Sequence, residues 1–276
     1  MTAGGGRVFP LWRDAVAAVP NLKPALLSHL AFAYGKPVAP EDLLAYVAAL
    51  LAHPAFTARF AEDLRRPGLR VPLTAKPALF LKAAALGREV VWLHTYGERF
   101  ADPAQGRPKT SPRMAPGTGP FIPAEGVIPD APEPLPEEMR YDAATRRLHI
   151  GKGFVANVPP EVAGYEVSGR NVLERWFSYR RRDRSRPVIG DRRPPSPLDS
   201  IQPDHWLSGY TDDLFDLLHV LGRLVLLEPA QAALLEEVCK GPMLTAAALD
   251  GAGAFSAAPA GGKAMASDAA IGDLFG

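Results

Sequence analysis

The chain has a single cysteine, Cys239, and that scarcity excludes both an intramolecular disulfide framework and a thiolate-rich zinc site. It has almost no net charge: 31 basic and 30 acidic residues leave +1, so the whole-chain balance favours no partner and only local clustering is informative. Long apolar runs are missing as well. The opening MTAGGGRVFPLWRD lacks the apolar stretch of a signal peptide, and no segment reaches the roughly 18 consecutive apolar residues of a membrane span. The expectation is a soluble cytoplasmic protein that does not engage a membrane. Its 276 residues, 47% hydrophobic, suffice for one large or two small domains with a real core.

The motifs of catalysis are also lacking. No Asn or Asp stands before Pro-Pro and an aromatic residue, the arrangement that holds a flipped adenine for methylation. Val158-Pro159-Pro160-Glu161 and Arg193-Pro194-Pro195-Ser196 have the prolines without the polar first or aromatic last residue. GAGAF at 251–255 sits in an alanine-rich tail with no strand before it, a poor candidate for a cofactor loop, and no phosphate-binding Gly-Lys-Ser/Thr occurs at the required spacing. The six histidines are scattered, with no HExxH and no pair at helical spacing. His94, beside Thr95, Tyr96 and Arg99, reads as a helix-end histidine that positions the arm beyond the helix; Asp199, Asp204 and His205 read as loop and cap residues. We therefore expect no catalytic residues, no metal and no cofactor.

What is present is helical punctuation, then proline, then a small sheet. Apolar periodicity predicts helices over 21–34, 41–51, 54–64 and 77–96; Pro40, Glu41 and Asp42 mark one start, and Leu43, Leu44, Val47, Leu50 and Leu51 share its face. Residues 101–137 are too rich in proline and glycine for either ladder and read as an extended connector or arm. Strands are expected at 139–141, 147–150 and 153–158, and helices at 169–179, 211–227 and 229–239. The fold class is α+β. The expected parts are a helical scaffold over 1–100, the connector over 101–137, an α+β part over 138–245 and a disordered tail over 246–276.

The charge asymmetry is concentrated in one place. Between Arg170 and Arg193 nine arginines face only Glu174, Asp183 and Asp191, a local excess of six positive charges. Arginine brings a planar fork suited to phosphate and to the O6 and N7 of guanine, and Trp176, Phe177 and Tyr179 lie among the charges where they can position them or stack. The residues expected to meet DNA are Arg170, Arg175, Tyr179, Arg180, Arg181, Arg182, Arg184 and Arg186. The competing reading of the same run is a solvated face over an aromatic core.

Several phrases resemble the C-terminal specificity region of Type ISP restriction–modification enzymes. They are YEVSGRNVLERWFSYRR at 165–181, SPLDSIQPDHW at 196–206 and TDDLFDLLHVLGRLVLLEPAQAALLEEVCKGP at 211–242. Two more lie in the first half, YVAALLAHPAFTARFAEDLRRPGLRVPLT at 46–74 and LGREVVWLHTYGERF at 86–100. The resemblance spans roughly 7–245. In that family one polypeptide carries a nuclease, a translocating ATPase, a coupler, an adenine-N6 methyltransferase and, last, the region that recognises a short asymmetric site. The resemblance implies that 165–182 lies in the recognition half, and that the preceding helices pack between methyltransferase and DNA. It implies double-stranded DNA as partner and a non-catalytic role. RVFPLWRD reads as the continuation of a preceding catalytic domain, so a second reading is a split or truncated subunit that docks on a separate methyltransferase through a face such as Leu214–Leu227.

Overall fold

The computed structural model describes residues 9–66, 68, 70–130, 135–181, 203, 205–251 and 253. They are α+β, as expected, and divide into two compact units: residues 1–92 with 227–276, and residues 93–226.

The first unit is helical, built from α1 (Pro24–Tyr34), α2 (Pro40–Leu51), α3 (Pro54–Arg59), most of α4 (Pro77–His94), the later part of α7 (Ser208–Lys240) and α8 (Ala246–Gly251). The first four helices all open on proline. Its fixed φ is already helical, and its missing N–H falls where no intrahelical acceptor exists. Asp42 reinforces the start of α2 by accepting from the Ala39 N–H (2.9 Å) and also pairs with Arg88 of α4.

The core of this unit joins Leu26 and Leu30 of α1, Leu43, Tyr46 and Leu50 of α2, Phe80 and Ala83 of α4, and Leu234, Leu235 and Val238 of α7. Tyr34 and Tyr46 flank Phe80, with ring centroids 4.7 and 5.0 Å away. Their buried hydroxyls are satisfied: Tyr34 donates to the Thr74 carbonyl and Tyr46 to the Pro72 carbonyl, each at 2.7 Å, while Tyr46 accepts from the Thr74 N–H. Gly87 permits α4 to press on α2, because a Cβ there would land on the Ala45 carbonyl. Residues after α7 are tied back by two backbone bonds of 2.8 Å, Ala75 N–H to Pro242 and Leu244 N–H to Leu73.

The second unit carries the sheet. Strands β1 (Met139–Asp142), β2 (Arg147–Ile150) and β3 (Gly153–Val155) form an antiparallel meander in the order β1-β2-β3. Asp142 shapes the first turn, accepting from the Ala144 N–H (3.0 Å) and the Thr145 hydroxyl (2.7 Å). Leu148, Ile150 and Val155 share one buried face, while Phe154 lies on the other face, against His149 and under Arg147. The proline-rich segment is structured in part: Phe121 and Ala156 exchange backbone bonds of 3.1 and 2.8 Å, which extends the pairing beyond β3. After the sheet come α5 (Pro160–Ala163), a second small ribbon of β4 (Glu166–Val167) and β5 (Arg170–Asn171), and α6 (Val172–Ser178).

Several sequence expectations need correction. The helices expected at 211–227 and 229–239 are one 33-residue helix, with Pro229 inside it. A helix-interior proline costs about 3 kcal/mol or more, but Leu214, Leu218, Leu221 and Leu224 before it and Leu234, Leu235 and Val238 after it are all buried. That burial outweighs the lost bond. By length and mean hydropathy α7 is also apolar enough to cross a membrane, yet those same side chains are spent inside the protein. Second, the helix expected at 169–179 begins at Val172, because Arg170 and Asn171 form a strand. Third, the helix expected over 54–64 ends at Arg59 and is followed by a short 3-10 turn at Asp63–Arg65. Of the tail expected to be disordered over 246–276, residues Ala246–Gly251 instead form α8, whose Leu249 is buried in the core of the first unit; the residues beyond Gly253 lie outside the described ones.

Candidate nucleic-acid interface

The arginine-bearing segment is built on α6 and what anchors it. Asn171 fixes its start with both ends of one amide: Oδ1 accepts from the Glu174 N–H (2.9 Å), capping α6, and Nδ2 donates to the Ala163 carbonyl at the end of α5 (2.7 Å). Leu173 and Phe177 are buried, so this short helix has one core-facing side. The other side carries Glu174, Arg175, Ser178 and Tyr179, all exposed. Arg175 lies over the Tyr179 ring with its guanidinium carbon 4.8 Å from the centroid.

Arg180 differs from its neighbours. Its guanidinium carbon is 4.2 Å from the Trp176 ring and 5.2 Å from Tyr210; Nη1 donates to the Trp176 carbonyl (3.1 Å), and Nη2 is 3.5 Å from the Asp213 carboxylate. Its side chain is 23% exposed. Trp206, buried, stands edge-on to Trp176 and Tyr210 and donates its indole N–H to Thr211 (2.9 Å). Arg180 is thus engaged in holding the end of α6 to the start of α7, a positioning role that leaves little of it for a ligand.

Behind this clamp a second cluster fixes α7. His219 accepts at Nδ1 from the Met114 N–H (3.1 Å) and meets Phe215 edge-on, while Arg113 pairs with Asp216 at 2.5 Å. Burial, with Arg113 adding to it against the opposing pull of Asp216, lowers the His219 pKa from 6.5 to about 4. The imidazole is neutral at pH 7. The Tyr96 phenol is pushed up by burial, then by Asp216 and Asp213, with Arg180 opposing.

Of the residues expected to meet DNA, the structure gathers Arg175, Tyr179, Arg180 and Arg181 on or just after α6, with Arg181 half-buried, and puts Arg170 on the exposed ribbon that precedes it. Arg182, Arg184 and Arg186 lie outside the described residues, as do Asp199 and Asp204. His94 ends α4 with its side chain exposed. The face suggested for partner docking is spent internally, since Leu214, Leu217, Leu218, Leu221 and Leu224 are buried in this chain. Sequence reasoning missed the ribbon tip, Val167 and Ser168; the signal was Ser-Gly between two short extended dipeptides.

Exposed guanidinium groups on a small α+β body, fixed from behind by a paired arginine, define a module suited to binding a polyanion. The family described as the Type ISP C-terminal specificity domain matches residues 1–217, and the chain belongs to that family. No curated protein matches it. Among solved structures it is similar to DrdV, in a cryo-EM complex with DNA, at 20% identity and TM-score 0.47, over 79% of this chain and 20% of that one. It is also similar to a nuclease-deletion mutant of the Type ISP restriction-modification enzyme LlaGI, in complex with a DNA substrate mimic. There the identity is 19% and the TM-score 0.42, over 73% of this chain and 14% of the other. The chain spans about a fifth and a seventh of those two lengths.

Proposed function

We propose that this chain recognises a short sequence in double-stranded DNA for a Type ISP-like restriction–modification system, in the cytoplasm, and contributes no catalytic centre, metal or cofactor of its own. One observation carries the reading: within a chain of net charge +1, nine arginines and three acids crowd into residues 170–193, all within the region matched to a specificity-domain family. Arg175 and Arg181, with Arg182, Arg184 and Arg186 after them, supply phosphate contacts that set register. A smaller number of side chains reads base edges. Arg180, gripped by Trp176, Tyr210 and Asp213, keeps the segment in place. The methylating and cleaving activities belong to a partner or to further domains that present the same DNA.

The test is equilibrium binding of the purified chain to fluorescent duplex DNA over rising salt. Displaced counterions make the logarithm of affinity fall linearly with the logarithm of salt concentration, by about 0.9 per phosphate neutralised. A steep negative slope is expected. Absence of duplex binding even at low salt refutes the proposal.

A further inference from the structure

The ribbon before α6 has the construction of a reading head. Its turn is two residues long, and both have positive φ, Ser168 at 52° and Gly169 at 72°. This is the tight type I′ hairpin whose twist matches the strands it joins. Glycine takes that conformation freely; serine does so only at a cost that Asn or Gly would lessen, and its presence keeps a hydroxyl at the tip. Residues 166 to 170 are all exposed.

The base of the ribbon is anchored by backbone and side-chain bonds. Glu166 pairs with Asn171 and Val167 with Arg170, and the Val172 N–H continues the ladder to the Tyr165 carbonyl at 2.9 Å. Cross-strand partners share a face and successive residues alternate, so the two pairs lie on opposite faces. Asn171 is turned inward, bonded to Ala163 and to the start of α6. Val167 and Arg170 therefore stand side by side on the outer face, with Val167 55% exposed.

A branched methyl group next to a guanidinium fork matches two features that neighbouring base pairs show in the major groove: the thymine 5-methyl and the guanine O6/N7 edge. A two-stranded ribbon fits that groove. We infer that the β4–β5 hairpin enters the major groove of the target, Arg170 reading guanine and Val167 the methyl of a nearby thymine, while the arginines that follow hold the phosphates. The inference rests on the function proposed above. Charge complementarity supports it, since the hairpin leads directly into the most basic stretch of the chain.

The experiment is selection of duplexes from a randomised library by the full chain and by its Val167→Ala and Arg170→Ala variants, followed by titration of single duplexes in which each selected thymine is replaced by deoxyuracil. Circular dichroism spectra and thermal unfolding midpoints that match the wild type establish that the variants fold. The wild type is expected to lose affinity on removal of one thymine methyl, a loss absent from Val167→Ala. Arg170→Ala is expected to lose about tenfold or more of its discrimination at one G·C pair and to keep the rest of the consensus. Variants that select the wild-type consensus with unchanged preferences overturn the inference alone; salt-dependent wild-type binding with no consensus overturns the sequence recognition proposed above together with it. A wild-type chain without affinity for any duplex overturns the function itself.

Discussion

Acidification below pH 6.5 is predicted to loosen the second unit through His219. The imidazole is 6% exposed and uses Nδ1 to accept the Met114 N–H. A proton on that nitrogen would abolish the bond and set a buried cation near Arg113. Its pKa accordingly falls from 6.5 to about 4, chiefly through burial. Because the folded value is the lower one, the unfolded chain binds the proton first. The contribution to stability is complete above pH 6.5 and is lost as pH falls toward 4. At about 1.4 kcal/mol per pH unit, the loss is at most about 3 kcal/mol. His53 is also lowered by burial, so the comparison must be with a variant. His219→Asn keeps an acceptor near the position of Nδ1 and cannot titrate. Urea unfolding at pH 7 and at pH 4 should show the wild type losing up to about 3 kcal/mol more than the variant, and the His219 ring resonances should titrate well below pH 6. Parallel pH dependence in the two proteins would refute the reasoning.

Other consequences can be checked by mutation. Gly87→Ala drives a Cβ into the Ala45 carbonyl, so α4 must move off α2, and a loss of about 3 kcal/mol or more is expected in thermal or urea unfolding. Tyr46→Phe strips partners from the Pro72 carbonyl and the Thr74 N–H and should cost about 1–3 kcal/mol by the same measurement. Arg180→Ala should lower the melting temperature, whereas Arg175→Ala should leave it nearly unchanged, because only the former is packed between two rings and paired to Asp213. Asn171→Ala removes a helix cap and the tether to Ala163; a loss of about 1–2 kcal/mol is expected, with faster amide exchange in the hairpin.

Much of this architecture was legible in the chain. Prolines at 40, 54 and 77 mark helix starts because the first turn is where proline is least costly, whereas the helix expected from Asn21 begins only at Pro24; Asp142–Thr145 announces its turn through a side chain that bonds its own backbone. What escaped depends on tertiary context. Pro229 reads as a break until the leucines on both sides are seen to be buried. That 227–251 rejoins the first helices is invisible locally, since the ties are backbone bonds from Ala75 to Pro242 and from Leu244 to Leu73. Strands β4 and β5 are two residues each, too short for any alternation to register. The arginine run stood out by composition, but composition could not separate Arg180, held by Trp176 and Asp213, from Arg170 on an exposed edge.

The most direct test of the central claim is the salt dependence of duplex binding by the wild type, by an Arg175, Arg181 and Arg182 to alanine triple variant, and by Arg180→Ala at a temperature where it remains folded. If those three arginines each neutralise a phosphate, the triple variant's slope is shallower by about 2.7, three times about 0.9, and Arg180→Ala keeps the wild-type slope. A triple variant with the wild-type slope and affinity would contradict the account and place the DNA on another surface.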